Sequence, residues 1–152
     1  EELKYIIKLN LLPPKGKRGV GFSRSNKFGK EFKSYINSKT HPVIIGMVEN
    51  KKALENLDKI LKVKNLDCVL IGPYDLSASL GIPGKFNDLK FKNALKFIKL
   101  SCKKNKMPCG LHLIEPNFKK LKKYINDGFN FIPYSTDTYI LNQAIDKMFK
   151  KN

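Results

Sequence analysis

Apolar residues along this chain follow two rhythms. Short runs rich in β-branched residues, at 43–48 and 68–71, carry almost no polar interruption, which is how strands covered on both faces of a parallel sheet read. Between them Ala53, Leu54, Leu57, Ile60 and Leu61 recur every three or four residues among Lys, Asn, Asp and Glu. That spacing predicts an amphipathic helix over 51–62, and hence a βαβ unit. The alternation continues downstream. After the loop GIPGKFND comes a helix over 88–104 with Phe91, Ala94, Leu95, Ile98 and Cys102 on one face, then a strand over 108–114 in which Gly110 permits close backbone approach. A helix over 116–126 closed by Gly128, a fourth strand FNFIPYS (129–135) and a last helix over 138–150 complete the pattern. Upstream, residues 1–9 and 29–39 are helix-like, the first ending before Pro13 and Pro14. Four strand-and-helix units preceded by a stray helix are therefore expected.

Two of the predicted strands end on a carboxylate, Glu49 after the first and Asp75 after the second. In a parallel α/β sheet or barrel the carboxyl ends of the strands share one rim, and ligands bind there. Neighbouring strands lie about 4.8 Å apart, so two such carboxylates can converge on one hard cation and leave positions open for water and substrate. Ordinary roles fit the same residues. Asp75 could be the N-cap of the helix-like LSASL, and Glu49 a first-turn acid favoured by the helix dipole.

The string IGPYDLSASLGIPG, preceded by a strand ending in Glu and by ENLDKIL, resembles the signature of the HpcH/HpaI family of metal-dependent pyruvate aldolases. The upstream LPPKGKRGVG resembles the same family's Pro-Pro-x-Gly-x-Arg-Gly segment, and the likeness runs from about residue 12 to the C-terminus. The resemblance implies a (β/α)8 TIM barrel and reversible aldol cleavage of a 4-hydroxy-2-oxo acid to pyruvate and an aldehyde. It implies a divalent metal (Mg2+, Mn2+ or Co2+) held by Glu49 and Asp75, with pyruvate against Gly72, Pro73, Tyr74 and Asp75 and its carboxylate on the backbone N–H groups of Tyr74 and Asp75. Met47 stands where many members have a substrate-contacting Gln two residues before the metal-binding Glu. Such barrels need about 250 residues, against 152 here. Residues 1–152 are therefore expected to be a single partial domain, the C-terminal half of the barrel without roughly its first four strands. The start at EELKYIIKLN, without an initiating Met, agrees with that expectation. The family's general-base His and its Arg would lie in the other half; neither His41, at the start of the first strand, nor His112, within the third, matches them. No catalytic residue is expected in this chain, which alone should be nearly inactive. Citrate-lyase-like enzymes of the same superfamily, acting on CoA thioesters, are the nearest alternative.

Charge adds a further alternative. A formal net charge of +17 ordinarily suggests nucleic acid, but Arg18 and Arg24 are the only arginines, and Arg is the residue suited to bidentate phosphate and base contacts. With Lys spread over nearly every helix, a solvated surface that helps draw in anionic keto acids is expected, not a specific nucleic-acid partner. A non-catalytic basic binding module remains the reading from a different class. Cys68, Cys102 and Cys109 form an odd set without a CxxC pair and read as reduced core cysteines of a cytoplasmic protein. No run of eighteen apolar residues is present to span a membrane. LPPKGKRGVG completes neither a GxGxxG nor a Walker pattern and is expected to be a structural loop, with Arg18 in an ion pair. Ser135, Thr136 and Asp137 fall at the active rim, where capping accounts for them. Four strands leave two open sheet edges, so a homo-oligomer is expected.

Overall fold

A computed structural model describes residues 1–38 and 41–149. Among them two compact units are distinguished: Glu1–Ile44 with Val63–Asp67, and Ile45–Lys62 with the residues from Cys68 onward.

The first unit holds helix α1 (Glu2–Asn10), a single 3-10 turn (Arg24–Asn26) and a short helix α2 (Phe32–Ile36). The LPPKGKRGVG segment is a structural loop. Its N–H groups turn back onto the end of α1, from Gly16 to the Leu12 carbonyl, Lys17 to Lys8 and Arg18 to Leu11, so they are not left to cradle an anion. A Cβ at Gly16 would stand 2.2 Å from the Leu11 carbonyl oxygen, which makes the position one of close backbone approach. Arg18 forms no ion pair among the described residues, so of the buried or interface ion pair expected for it the buried one is not formed. Asn26 is fully buried, and both ends of its amide are used: Oδ1 accepts from the Ser23 and Gly29 N–H groups, and Nδ2 donates to the Gly21 carbonyl.

In the second unit β1 (Ile45–Val48), β2 (Cys68–Ile71) and β3 (Cys109–Leu111) form a parallel sheet in the order β1-β2-β3, with Val48 level with Ile71 and Ile71 with Leu111. Parallel neighbours need a crossover between them. The first crossover carries α3 (Lys51–Glu55) and α4 (Leu57–Ile60), the second α5 (Pro73–Ser79) and α6 (Leu89–Lys104). The expected strand, helix, strand order is therefore present, with particular departures. The helix over 51–62 is divided at Asn56, whose backbone at φ −105° and ψ 11° leaves the helical region. The first strand starts at Ile45, not at Val43, because Ile44 gives its N–H to the Asp67 carboxylate and its carbonyl to the Asp67 N–H. The strand expected over 108–114 is regular only through Leu111. Its partner, the expected fourth strand, makes only isolated parallel bridges, Gly110 to Phe131 and Leu113 to Tyr134. Pro133 interrupts that segment, since it has no N–H to give a ladder.

The core of this unit lies between sheet and helices. Val48, Val69, Ile71 and Leu111 are buried from the strands, Leu57, Leu76, Phe91 and Ile98 from the helices, each side chain worth about 1.5–3 kcal/mol on burial. A Cβ on Gly110 would fall 2.6 Å from the Phe131 carbonyl oxygen, which bears out the expected close approach. Phe91, Ala94, Ile98 and Cys102 form the buried stripe of α6 as their spacing predicted, and the Asp88 side chain caps that helix by accepting from the Lys90 N–H. Helix α7 (Phe118–Asn126) is followed by Gly128 at φ +90°, the left-handed conformation that a glycine stop supplies. Helix α8 (Asp137–Phe149) closes the described chain. Lys39 and Lys150, the last residues of two predicted helices, lie outside the described residues.

Cys68, Cys102 and Cys109 are buried and form no disulfide among the described residues. The hydrogen bond between the Cys109 and Cys102 side chains, and after it burial, push the Cys109 thiol well above the ordinary range. The same bond holds the Cys102 thiol below its ordinary range, with burial opposing it, and burial shields both from reagents.

Candidate active site

The ends of β1 and β2 build the site. Because Val48 and Ile71 are partners in the parallel ladder, and the Gly72 N–H continues it by donating to the Val48 carbonyl at 3.3 Å, the residues that follow, Glu49 and Gly72, come level at the same rim. Glu49 is half-buried and Gly72 buried. A Cβ built on Gly72 would stand 3.2 Å from the Glu49 Cβ, 3.3 Å from Glu49 Oε2 and 3.2 Å from the Met47 Cε. The carboxylate and the thioether methyl therefore lie over a glycine that leaves them room.

Asp75 enters by a different route from the one its sequence context suggested. Helix α5 begins at Pro73, with Gly72 as its N-cap, so Asp75 is not a cap but the third residue of the first turn. Pro at the first helical position fits, because that N–H has no intrahelical partner in any case. Glu49 is likewise not a first-turn acid. It precedes Asn50, whose side chain caps α3 by accepting from the Ala53 N–H at 2.9 Å. Neither residue takes the role its own sequence context suggested, but Asp75, exposed in the first turn of α5, stands where the helix dipole favours an acid.

The direction of Asp75 follows from Ser79. Residues four apart lie on one face of a helix, and the Ser79 hydroxyl accepts from the Lys51 N–H at 2.9 Å. The face of α5 that carries Asp75 and Ser79 is therefore turned to the turn that carries Glu49. Among the described residues neither carboxylate has a hydrogen bond or an ion pair, in a chain that carries 30 Lys and Arg. An unpartnered carboxylate over a small residue, with a second on the helix face turned toward its turn, fits a hard divalent cation, which one or two carboxylates commonly hold with water completing the shell. Among the described residues no group of three or more His, Cys, Asp or Glu is placed to hold a metal, so the protein's share here would be these two.

The remaining expected residues fall around the same rim. Met47 and Tyr74 are 49% and 45% exposed, open enough to meet a ligand. Tyr74 stacks edge-on against Phe86 with centroids 5.0 Å apart. The N–H groups of Tyr74 and Asp75, in the first turn of α5, have no intrahelical acceptor. His112 is held within the protein, its Nε2 being 3.4 Å from the Ser135 carbonyl. His41 is exposed, 3.9 Å from Asp67 Oδ2. The rim residues after the fourth segment are used locally: Thr136 Oγ1 accepts from the Tyr139 N–H and Asp137 Oδ1 from the Thr138 N–H. Sequence reading missed Ser77 and Ser79. Ser77, fully buried, donates to the Tyr74 carbonyl and accepts from the Gly84 N–H. Two serines spaced by two after the Asp were the only signal available.

A family model described as HpcH/HpaI aldolase/citrate lyase matches residues 1–144. The chain belongs to that family. A 2-keto-3-deoxy-L-rhamnonate aldolase of Salmonella dublin is 32% identical over 155 residues, covering 99% of this chain and 57% of the relative. The chain thus spans little more than half the length of the curated relatives it matches. Among solved structures, an HpcH/HpaI aldolase/citrate lyase family protein from Burkholderia cenocepacia J2315 superposes with a TM-score of 0.86 at 23% identity, over 98% of this chain and 59% of that one. An HpcH/HpaI aldolase from Desulfitobacterium hafniense DCB-2 gives 0.78 at 26% identity, over 95% and 56%. This HpcH/HpaI chain therefore shares the parallel α/β fold of its family.

Proposed function

We propose that this HpcH/HpaI chain supplies the last four β/α units of a (β/α)8 barrel, a single partial domain, and with them the metal and pyruvate half of a class II pyruvate aldolase site. One observation carries the reading: the Glu49 carboxylate lies beside Gly72 at the end of β1, the Ser79–Lys51 bond turns the face of α5 that carries Asp75 toward the same turn, and neither carboxylate has a protein partner among the described residues. Glu49 and Asp75 would hold the divalent cation, which when bound supplies Lewis-acid polarisation of a keto oxygen. The chain's own residues do the rest of the positioning. The N–H groups of Tyr74 and Asp75 receive the carboxylate of the keto acid, Gly72 and Pro73 leave space beneath it, and Met47 closes one side with a thioether instead of a hydrogen-bonding group. Proton transfer belongs to the half of the barrel that carries strands one to four, so this chain alone is expected to be almost inactive. A homo-oligomer in the cytoplasm completes the reading. It is supported by α8, in which Ile140, Leu141, Ile145, Met148 and Phe149 are all exposed. Among the described residues no helix is long and apolar enough to cross a membrane.

The test is pyruvate release by the complete protein from a panel of 4-hydroxy-2-oxo acids, beside a panel of CoA thioesters, before and after treatment with a chelator. Metal-dependent pyruvate release from the keto acids supports the proposal. Cleavage of the thioesters alone would assign the protein to the citrate-lyase side of its family.

A further inference from the structure

We propose that Ser79 is a positioning residue that sets the separation of Glu49 and Asp75, an inference that rests on the metal-site reading above. Ser79 and Lys51 are 28 residues apart in sequence, yet the Ser79 hydroxyl accepts from the Lys51 N–H at 2.9 Å. Lys51 is the first residue of α3, so its N–H is one of the donors a helix start leaves without an intrahelical acceptor. Asn50 does not use it, because its side chain is committed to the Ala53 N–H. The Ser79 bond is thus the side-chain link that the structure shows between the turn following Glu49 and the helix that carries Asp75.

The lever arms on both sides are short. Lys51 lies two residues after Glu49, at most about 7 Å of extended chain. Ser79 lies one helical turn after Asp75 on the same face, a rise of about 6 Å. A fixed point between Ser79 and Lys51 therefore limits how far the two carboxylates can drift apart. The far side of α5 is held independently: Ser77 ties Tyr74 to Gly84, and Tyr74 stacks on Phe86. With that side pinned, loss of the Ser79 bond frees the α3 turn more than α5, and Glu49 is the residue that moves. Ser79 touches neither the metal nor the substrate in this scheme. Its effect is exerted through Glu49.

Mn2+ titration calorimetry on the full chain, with wild type, Ser79→Ala and Ser79→Thr, tests the proposal, together with amide hydrogen exchange at Lys51 and a thermal melt of each variant. Ser79→Ala is expected to weaken Mn2+ binding about five-fold, the scale of one hydrogen bond. It should speed exchange at the Lys51 amide while leaving the melt nearly unmoved, because Ser79 is at the surface. Ser79→Thr, which keeps the hydroxyl, should restore both affinity and protection. Wild-type affinity in Ser79→Ala, with faster exchange at Lys51, would show that the link exists without positioning Glu49, and would overturn the inference while the metal site stands. Absence of Mn2+ uptake by wild type would overturn the site reading and this inference with it.

Discussion

Gly72 and Gly110 are both conserving space, but for different ends. At Gly110 a Cβ would meet backbone, the Phe131 carbonyl oxygen at 2.6 Å, which cannot swing aside as a side chain can. Gly110→Ala is expected to lower stability by about 1–3 kcal/mol, the usual cost of overpacking, read from the midpoint of a denaturant curve. At Gly72 the neighbours are the Glu49 and Met47 side chains at 3.2–3.3 Å, which can yield. Gly72→Ala should therefore change stability little and weaken divalent-metal binding instead, so calorimetry should separate it cleanly from Gly110→Ala. Sequence reading identified Gly110 correctly, because a glycine inside an apolar run has few other reasons to be there. The direction of Asp75 was not legible. It depends on the helix starting at Pro73, which shifts Asp75 from a cap to the first turn, and on a hydrogen bond spanning 28 residues.

At the scale of elements, periodicity located every helix and strand of the second unit but misjudged where they end. The apolar spacing over 51–62 is continuous and predicts one helix; the backbone departs from helical angles at Asn56, which no hydrophobic pattern records. The fourth strand was read from apolar content, and Pro133 withholds the N–H that a ladder needs there. Helix caps, by contrast, behaved as their residue types suggest. Asn50→Ala removes the acceptor for the Ala53 N–H and is expected to cost about 1 kcal/mol, measurable by thermal unfolding. The cysteines join three elements, β2, α6 and β3. Cys109 holds its proton above the ordinary value of 9.0, first through its bond to Cys102 and then through burial. Above that pH an unfolded thiol loses its proton while the folded one keeps it, so fewer protons are bound in the unfolded state and stability falls as pH rises. The same bond lowers the Cys102 thiol and so opposes part of that loss, while Tyr124, raised by burial from 10.0, adds to it. Unfolding midpoints should therefore decline between about pH 9 and pH 11, and a thiol reagent at neutral pH should label the three cysteines only once denaturant is added.

For the molecule as a whole, the net charge of +17 is legible in the sequence as a field but not as a site. Among the described residues Glu49 and Asp75 have no ion-pair partner, a feature they share with Glu2, Asp58 and Asp88, so what marks the pair is its place after β1 and β2. The exposed apolar residues of α8 lead to a second expectation at this scale. A 13-residue helix without a buried residue is marginal by itself, so sedimentation should show the chain self-associated, and Leu141→Asp with Ile145→Asp should shift it toward the monomer. The account rests most directly on the paired carboxylates. Calorimetric titration of Mn2+ with pyruvate present, into wild type and into Glu49→Ala and Asp75→Ala, tests them. The account predicts saturable binding by wild type that each substitution abolishes, with all three chains melting alike. Binding that survives both substitutions, or a folded wild-type chain and a folded complete protein that bind no metal, would contradict it.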